Sequence, residues 1–242
     1  MHGSVDMILT AHQPSYLPWL GTISKIAQAD TFCVFDNVQY DRRGWTNRNF
    51  IKTVNGPLML SVPVLSKKHM EKKIKNIEIV PGNWARKHMK SIELAYKKAP
   101  HFATHFSGIG AIVDLYADGG LLSELNTDIL RYVLRSLGIQ LPLVMASDYE
   151  FEGEKSNLVL DMCRKLGATE YIFGGEGERY ADQEAFKAAG IVPHFQKYEH
   201  PIYEQLHGEF VPRMSVLDLL MMAGSDSLGI LTCGRTRERK AA

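Results

Sequence analysis

The pattern that most restricts the fold lies in the first 36 residues, where two short apolar runs flank a helical repeat. Residues 7–11 (MILTA) form the first run, and residues 31–35 (TFCVF), rich in β-branched and aromatic side chains, form the second. Between them, residues 20–29 carry apolar side chains at helical spacing. A strand, a helix and a strand within about 30 residues predict a βαβ unit with a parallel strand pair. The fold class is therefore α/β.

The rest of the chain extends this pattern into a larger sheet. Strand patterns at 143–145 and 170–173 flank a helical pattern at 156–166, which predicts a second βαβ unit. Together the two units predict a Rossmann-like, mainly parallel sheet flanked by helices. An Asn-Gly pair at 55–56, between two β-prone runs, predicts a hairpin outside that sheet over residues 49–64. Further strands are expected at 77–80 and 192–195, and further helices at 84–98, 107–137 (interrupted at 118–120), 183–189 and 216–222.

The length of 242 residues fits one large domain or two small ones, and the absence of a low-complexity linker favours one. We expect a single α/β domain over residues 7–234, with a tag or disordered start at 1–6 and a disordered tail at 235–242. A chain of this size, with 45% hydrophobic residues, buries enough surface to fold without a disulfide or a metal.

Cysteine content and charge exclude several classes of protein. The three cysteines show no CxxC spacing, which argues against a secreted disulfide framework and against a Cys-based zinc site. No apolar run approaches the roughly 20 residues that span a bilayer, and no secretory signal is recognisable. With 28 basic and 27 acidic side chains, the chain lacks the basic excess of a general nucleic-acid binder. We expect a cytoplasmic protein, and a homo-oligomer is left open.

The loop that follows the first predicted strand, residues 12–19 (HQPSYLPW), concentrates polar and aromatic side chains. Its two prolines fix φ and stiffen the loop, so its side chains are held in defined directions. Ligands of α/β proteins bind at the carboxyl edge of the parallel sheet, and the second predicted strand ends at the same edge. A small-molecule pocket is therefore expected here, against the alternative that the aromatic rings merely cap the core. The candidates are His12, Gln13, Tyr16, Trp19 and Asp36.

Basic residues cluster shortly afterwards. Arg48 and Lys52 lie four residues apart, with Arg42 and Arg43 just upstream. An arginine fork and a lysine charge can clamp a phosphate or a carboxylate, although a solvated basic turn would have the same composition. Arg48 and Lys52 are therefore candidates for holding an anionic ligand.

Two further patterns are less specific. Gly174 and Gly175 directly follow a predicted strand, so their N–H groups could bind an oxyanion, with Tyr180 close behind. This segment matches neither a Walker motif nor GxGxxG. His101 and His105 are four residues apart but lack a third ligand at a known spacing, so no metal is expected.

The sequence resembles the WbqC-like family, whose members occur mainly in O-antigen, other polysaccharide and secondary-metabolite gene clusters. The resemblance covers nearly the full chain and rests above all on HQPSYLPWLG at 12–21, DNVQY at 36–40 and WTNRNFIK at 45–52. The segment MMAG at 221–224 departs from the asparagine-containing ending expected of the family. The resemblance implies further ligand-binding residues, which are Lys25, Asn47, His88, Tyr203, Gln205, Ser215 and Asp218.

The leading hypothesis is an enzyme of bacterial surface-glycan (lipopolysaccharide O-antigen) or related small-molecule biosynthesis. It would be a transferase, or in second place a ligase, that adds a small group to a nucleotide-linked amino sugar or amine. In this hypothesis His12 contacts phosphate or acts as general acid or base, and Asp36 acts as a base or orients the amine. Arg48 neutralises phosphate with Lys52, while Tyr16 and Trp19 stack on a base or sugar.

Two alternatives remain open at this stage. The order of a strand, a histidine loop, a lysine-bearing helix and an aspartate-bearing strand is similar to that of HIGH-type nucleotidyltransferases, although HQPS at 12–15 lacks the second histidine. It suggests an ATP-dependent, adenylate-forming amide ligase, with ATP or another nucleotide as the cofactor. The other alternative is a non-catalytic protein that binds a nucleotide sugar or serves as a scaffold.

Overall fold

A computed structural model describes residues 6–65 and 72–232. The strands are β1 (Ile8–His12), β2 (Thr31–Val34), β3 (Arg48–Thr53), β4 (Gly56–Ser61), β5 (Leu143–Met145), β6 (Glu170–Phe173) and β7 (Val192–Phe195). A five-stranded sheet has the order β5-β2-β1-β6-β7, and each neighbouring pair is parallel. β3 and β4 form a separate antiparallel hairpin. The predicted single α/β domain with a parallel sheet and a hairpin is confirmed.

Helices connect and cover the strands. They are α1 (Leu20–Ile26), α2 (Trp84–Tyr96), α3 (Phe102–Leu115), α4 (Leu122–Ser136), α5 (Lys155–Leu166), α6 (Gln183–Ala188), α7 (Val216–Ala223) and α8 (Ser227–Leu231). Within the described residues, no helix is both long and apolar enough to cross a membrane.

The two faces of the sheet bury different cores, because successive side chains of a strand point to opposite faces. Leu9 of β1 and Tyr171 and Phe173 of β6 pack with α5 and α6. On the other face, Phe32 of β2 joins a larger core that includes α1 to α4, α7 and the hairpin. The hairpin contributes its buried side chains to this core and does not extend the sheet.

The structure differs from the sequence prediction in three places. Residues 77–80 form no strand, because Ile79 bridges Val64 while the preceding residue bridges Leu121, so no ladder builds up. The interruption predicted at 118–120 is confirmed, because Gly119 and Gly120 adopt φ of 118° and 127° between α3 and α4, but α3 begins at Phe102 and not at the predicted residue 107. The five residues of α8 are too few to show a helical period. The predicted tail at 235–242 and residues 1–5 of the predicted start lie outside the described residues.

Candidate functional site

A crevice of about 320 Å³ opens at the carboxyl edge of the sheet, between β1 and β6. The chain leaves β1 toward β2 on one side and leaves β6 toward β7 on the other, so the strand order reverses here. Such a switch point is where open α/β sheets bind their ligands. The walls of this crevice include His12, Trp19, Lys25, Gly174, Gly175, Glu176, Tyr180 and Gln196.

Lys25 brings a buried positive charge to the crevice. Its side chain projects from α1, is 3% exposed, and donates one hydrogen bond from Nζ to the carbonyl of Ala11 at 2.9 Å. Removal from water lowers the pKa of Lys25 from 10.5 to about 8. No carboxylate of the described chain forms an ion pair with it. Because an ammonium has three donors, two remain for a ligand.

His12, at the end of β1, is a neutral acceptor in this environment. Burial, followed by the nearby charge of Lys25, lowers the pKa of His12 from 6.5 to about 4. Nδ1 lies 2.8 Å from the carbonyl of Gln13, and because a carbonyl only accepts, Nδ1 carries the proton. Nε2 therefore carries the lone pair. The side chain of Gln13 is itself exposed and does not line the crevice.

The turn after β6 forms the opposite wall. Residues 175–179 form a single 3₁₀ turn, whose Gly177 N–H donates to the carbonyl of Gly174 at 2.8 Å. The first N–H groups of such a turn, at Gly175 and Glu176, have no acceptor within it and can bind an anion. A Cβ at Gly177 would lie 2.4 Å from Cβ of Phe173, so glycine is required there. The oxyanion role of Gly174 and Gly175 stays a prediction.

Two exposed aromatic rings stand at the mouth. Trp19 is 38% exposed and Tyr180 is 48% exposed. The Trp19 ring packs edge-on against the Tyr198 ring, with the ring centroids 5.4 Å apart. It also lies directly over Gly21, where an added Cβ would approach the Trp19 ring atoms within 2.4 Å. Gln196 also holds Gly21 in place, because its Nε2 donates to the carbonyl of Gly21 at 2.9 Å. The mouth therefore offers pre-positioned faces for a planar ring.

Comparison with known proteins assigns the chain to a family without assigning a reaction. The sequence profile of the WbqC-like protein family matches residues 13–230. The chain belongs to the WbqC-like protein family. It is 35% identical over 216 residues to an uncharacterized protein of Mycobacterium tuberculosis (strain ATCC 25618 / H37Rv), a match that covers 89% of this chain and 93% of that protein. No solved structure matches the chain significantly.

In this WbqC-like chain, Asp36 and Arg48 do not line the crevice. Asp36 is 2% exposed, and its carboxylate accepts a hydrogen bond from the Ser147 N–H at 2.9 Å, which ties the end of β2 to the segment after β5. The Arg48 guanidinium donates to the carbonyl of Arg42. Neither residue therefore shares the crevice with His12, and their catalytic roles stay predictions.

Tyr16 points into the core. The Leu17 backbone has φ of 46°, a left-handed conformation that is rare for leucine, and its carbonyl accepts from Asn49 Nδ2 at 2.6 Å. This turn directs Tyr16 inward, with no exposed surface, while Trp19 stays at the mouth. The Tyr16 hydroxyl lies 3.0 Å from Nδ1 of His88, and burial lowers the pKa of His88 from 6.5 to about 4. Both residues lie outside the crevice lining and pack as core groups.

Other residues implied by the WbqC-like resemblance meet in a separate buried network around Asp218. The Asp218 carboxylate accepts three hydrogen bonds of 2.8 Å, from the hydroxyls of Tyr96 and Tyr203 and from Nε2 of Gln205. Burial raises the pKa of Asp218, while these hydrogen bonds oppose the rise. Lys52 donates to two carbonyls of residues 208–209, at 3.2 and 2.5 Å. This network joins the 203–209 segment to α2, β3 and α7, and it lies away from the crevice.

Asn47 and Ser215 are the remaining two residues that the family resemblance implies. Asn47 donates from Nδ2 to the carbonyl of Val62 at 2.8 Å and thereby holds the start of the hairpin. Ser215 is fully buried, and its N–H donates to the carbonyl of Phe50 at 2.9 Å. Gln196 is not predictable from the sequence, because a single glutamine after a short strand carries no pattern.

Proposed function

We propose that this WbqC-like protein is an enzyme that binds an anionic, nucleotide-linked substrate in the crevice. It transfers or ligates a small group onto that substrate in surface-glycan or related small-molecule biosynthesis. The observation that carries the proposal is the buried ammonium of Lys25, which lies at the switch point with one backbone acceptor and, in the described chain, no carboxylate partner. A charge in such a place is costly unless a ligand supplies the opposite charge.

A phosphate group fits the donors around Lys25. Lys25 and the 3₁₀ turn line one crevice, and phosphate oxygens are matching acceptors for an ammonium and for backbone N–H groups. Hydrogen bonds that involve a charged group contribute about 1.5–3 kcal/mol each. The exposed rings of Trp19 and Tyr180 at the mouth favour an attached base or sugar, because stacking contributes about 1–3 kcal/mol per base.

His12 is suited to accept a proton once the anion is bound. Its Nε2 carries the lone pair, and its pKa is lowered to about 4 first by burial and then by the charge of Lys25. An anion on Lys25 cancels that repulsion, so substrate binding raises the pKa of His12 toward the range in which a general base is effective. His12 would then remove a proton from the acceptor nucleophile of the bound substrate.

The test of anion binding compares matched lysine variants. Lys25→Met keeps the length of the side chain and removes its charge, while Lys87→Met makes the same change at an exposed position of helix α2. We expect calorimetry with inorganic pyrophosphate to give at least tenfold weaker binding to Lys25→Met, with Lys87→Met unchanged. Equal binding by wild type and Lys25→Met would contradict the proposal.

The class of reaction needs a second measurement. Product formation on incubation with nucleotide sugars and small-group donors, followed by mass spectrometry, would support the transferase. Release of pyrophosphate from ATP that depends on a carboxylic acid would identify the adenylate-forming ligase instead. Tight binding of a nucleotide sugar, with no product across the donor panel, would identify a non-catalytic binding protein.

A further inference from the structure

Helix α2 and the two residues that follow it concentrate positive charge on a chain that is nearly neutral overall. Residues 84–98 carry five basic side chains and one acidic side chain, whereas the whole chain carries 28 and 27. One side of α2 is buried and includes Trp84, Ile92 and Tyr96. The five cations lie on the exposed side, which we call the basic face of α2 and define by Arg86, Lys87, Lys90, Lys97 and Lys98.

The cations of the basic face share one stripe of the helix surface with an exposed leucine. At 3.6 residues per turn, the first four cations and Leu94 fall within an arc of about 100°. Leu94 is 58% exposed. At a rise of about 1.5 Å per residue, the stripe extends about 18 Å from Arg86 to Lys98. The basic face is therefore a continuous, elongated surface with an apolar side chain among its charges.

Most of this charge is uncompensated within the described chain. Nζ of Lys90 lies 2.8 Å from the carboxylate of Glu93. The other four cations form no ion pair with a described residue. Helix α4, by contrast, carries two acidic and two basic side chains, and Arg131 lies 2.9 Å from Asp128. The basic face thus presents a net positive charge to whatever approaches it.

This arrangement of charges lowers the stability of the helix that carries it. Arg86 and Lys90 are four residues apart and Lys87 and Lys90 are three apart, so like charges face each other on the helix surface. Arg86 and Lys87 also lie in the first turn, where the helix dipole favours acidic residues and α2 has none. Helix stability therefore does not account for the pattern, and an anionic partner would relieve these repulsions.

The side chains of the basic face distinguish between classes of anionic partner. Four of its five cations are lysines, and the aromatic rings of α2, Trp84 and Tyr96, are buried. Protein interfaces are enriched in aromatic residues and arginine and depleted in lysine, and arginine is also the preferred residue for nucleic-acid phosphates. Lysine-rich amphipathic helices with an exposed leucine are typical of anionic membrane surfaces, because lysines attract mobile headgroup charges and the leucine enters the acyl boundary.

We propose that the basic face of α2 docks the protein on the surface of an anionic phospholipid bilayer. The cations lie at the headgroup phosphates, and Leu94 lies at the boundary with the acyl chains. The contact is peripheral and reversible, since a single short helix with one inserted apolar side chain provides weak anchoring. This inference goes beyond the proposed function and does not depend on what the crevice binds.

The test measures cosedimentation with vesicles of phosphatidylcholine alone and with vesicles of equal parts phosphatidylcholine and phosphatidylglycerol. We expect wild type to bind the anionic vesicles at least tenfold more tightly than the neutral ones. Raising the salt from about 0.01 M to about 0.15 M should weaken this binding, because the Debye length falls from about 30 Å to about 8 Å.

Two double variants with the same loss of charge test the location of the contact. Lys87→Gln/Lys97→Gln should weaken binding to anionic vesicles at least tenfold, since each cation near such a surface contributes about fivefold in affinity. The control Arg164→Gln/Lys187→Gln removes two exposed cations from α5 and α6 and should stay within threefold of wild type. Urea unfolding should show no loss of stability in Lys87→Gln/Lys97→Gln, because the substitutions relieve repulsion at exposed positions.

A third variant, Leu94→Ser, removes the apolar contact and keeps the charge. It should weaken binding to anionic vesicles at least threefold, and unchanged binding would overturn the placement of Leu94 at the acyl boundary. Equal binding of wild type to neutral and anionic vesicles, or equal losses in the two double variants, would overturn the docking proposal. A short DNA duplex that binds more tightly than the anionic vesicles, with no effect of Leu94→Ser, would also overturn it and would identify a nucleic-acid surface instead. Pyrophosphate binding should be unchanged in all these variants, so failure of the docking proposal leaves the proposed function intact.

Discussion

Replacing Lys25 with methionine should make the ligand-free protein more stable at pH 7. Burial lowers the pKa of Lys25 from 10.5 to about 8, and this difference corresponds to about 3 kcal/mol of destabilisation while the group is charged. Methionine fills a similar volume without charge. It also removes the 2.9 Å hydrogen bond to the Ala11 carbonyl, at a cost of about 1 kcal/mol. We therefore expect Lys25→Met to raise the free energy of unfolding by about 2 kcal/mol.

The effect of Lys25→Met on the free energy of unfolding changes between pH 8 and pH 10.5. Below pH 8 the lysine is protonated in both the folded and the unfolded chain, so the whole penalty is present. As the pH rises from 8 to 10.5, the folded protein loses this proton before the unfolded chain does, and the penalty disappears. Between pH 7 and pH 10 the stability of wild type should therefore rise by about 2–3 kcal/mol relative to Lys25→Met.

Urea unfolding at pH 7 and pH 10, followed by circular dichroism, measures the stability difference between wild type and Lys25→Met and its change with pH. The difference between the two proteins cancels the titration of the other groups, and Lys87→Met should stay within about 0.5 kcal/mol of wild type. Saturating pyrophosphate at pH 7 should reverse the order of stability, because it stabilises wild type selectively. A Lys25→Met variant that is less stable than wild type at pH 7, with a parallel pH dependence of the two proteins, would refute the predicted penalty. That result would mean that the folded protein already compensates the ammonium.

Three further substitutions test other parts of the structure. His12→Gln should lower substrate turnover at least tenfold and leave the binding of pyrophosphate unchanged. A rate within threefold of wild type, which corresponds to a barrier change under about 1 kcal/mol, would exclude His12 as the base. Gly177→Ala should lower the free energy of unfolding by about 1–3 kcal/mol, because its Cβ would lie 2.4 Å from Cβ of Phe173; urea titration showing no loss would refute the packing argument. Asp218→Ala should cost about 2–4 kcal/mol in the same assay, since two buried tyrosine hydroxyls lose their acceptor, and pyrophosphate affinity should be unchanged in the variant that remains folded.

The sequence places His12 and Trp19 at the candidate site but does not predict the partners of the basic residues. His12 and Trp19 follow a buried strand within eight residues, so a local pattern suffices to place them at the carboxyl edge of the sheet. Arg48 and Lys52 form an equally clear basic pattern, yet Lys52 binds carbonyls of the 208–209 turn, more than 150 residues away. A charge pattern shows where cations are in the sequence but not which partner each one finds.

Local periodicity and turn chemistry, which the sequence carries directly, determined the α/β class, the parallel βαβ units and the hairpin. These features depend on neighbours within a few residues and therefore need no tertiary information. Which groups share the crevice was decided by the tertiary structure alone. The pairing of β1 with β6 brings Lys25 and His12 against a glycine turn about 150 residues later, and the burial that follows sets their charge states. Desolvation depends on everything packed around a group, so no local pattern could have disclosed it.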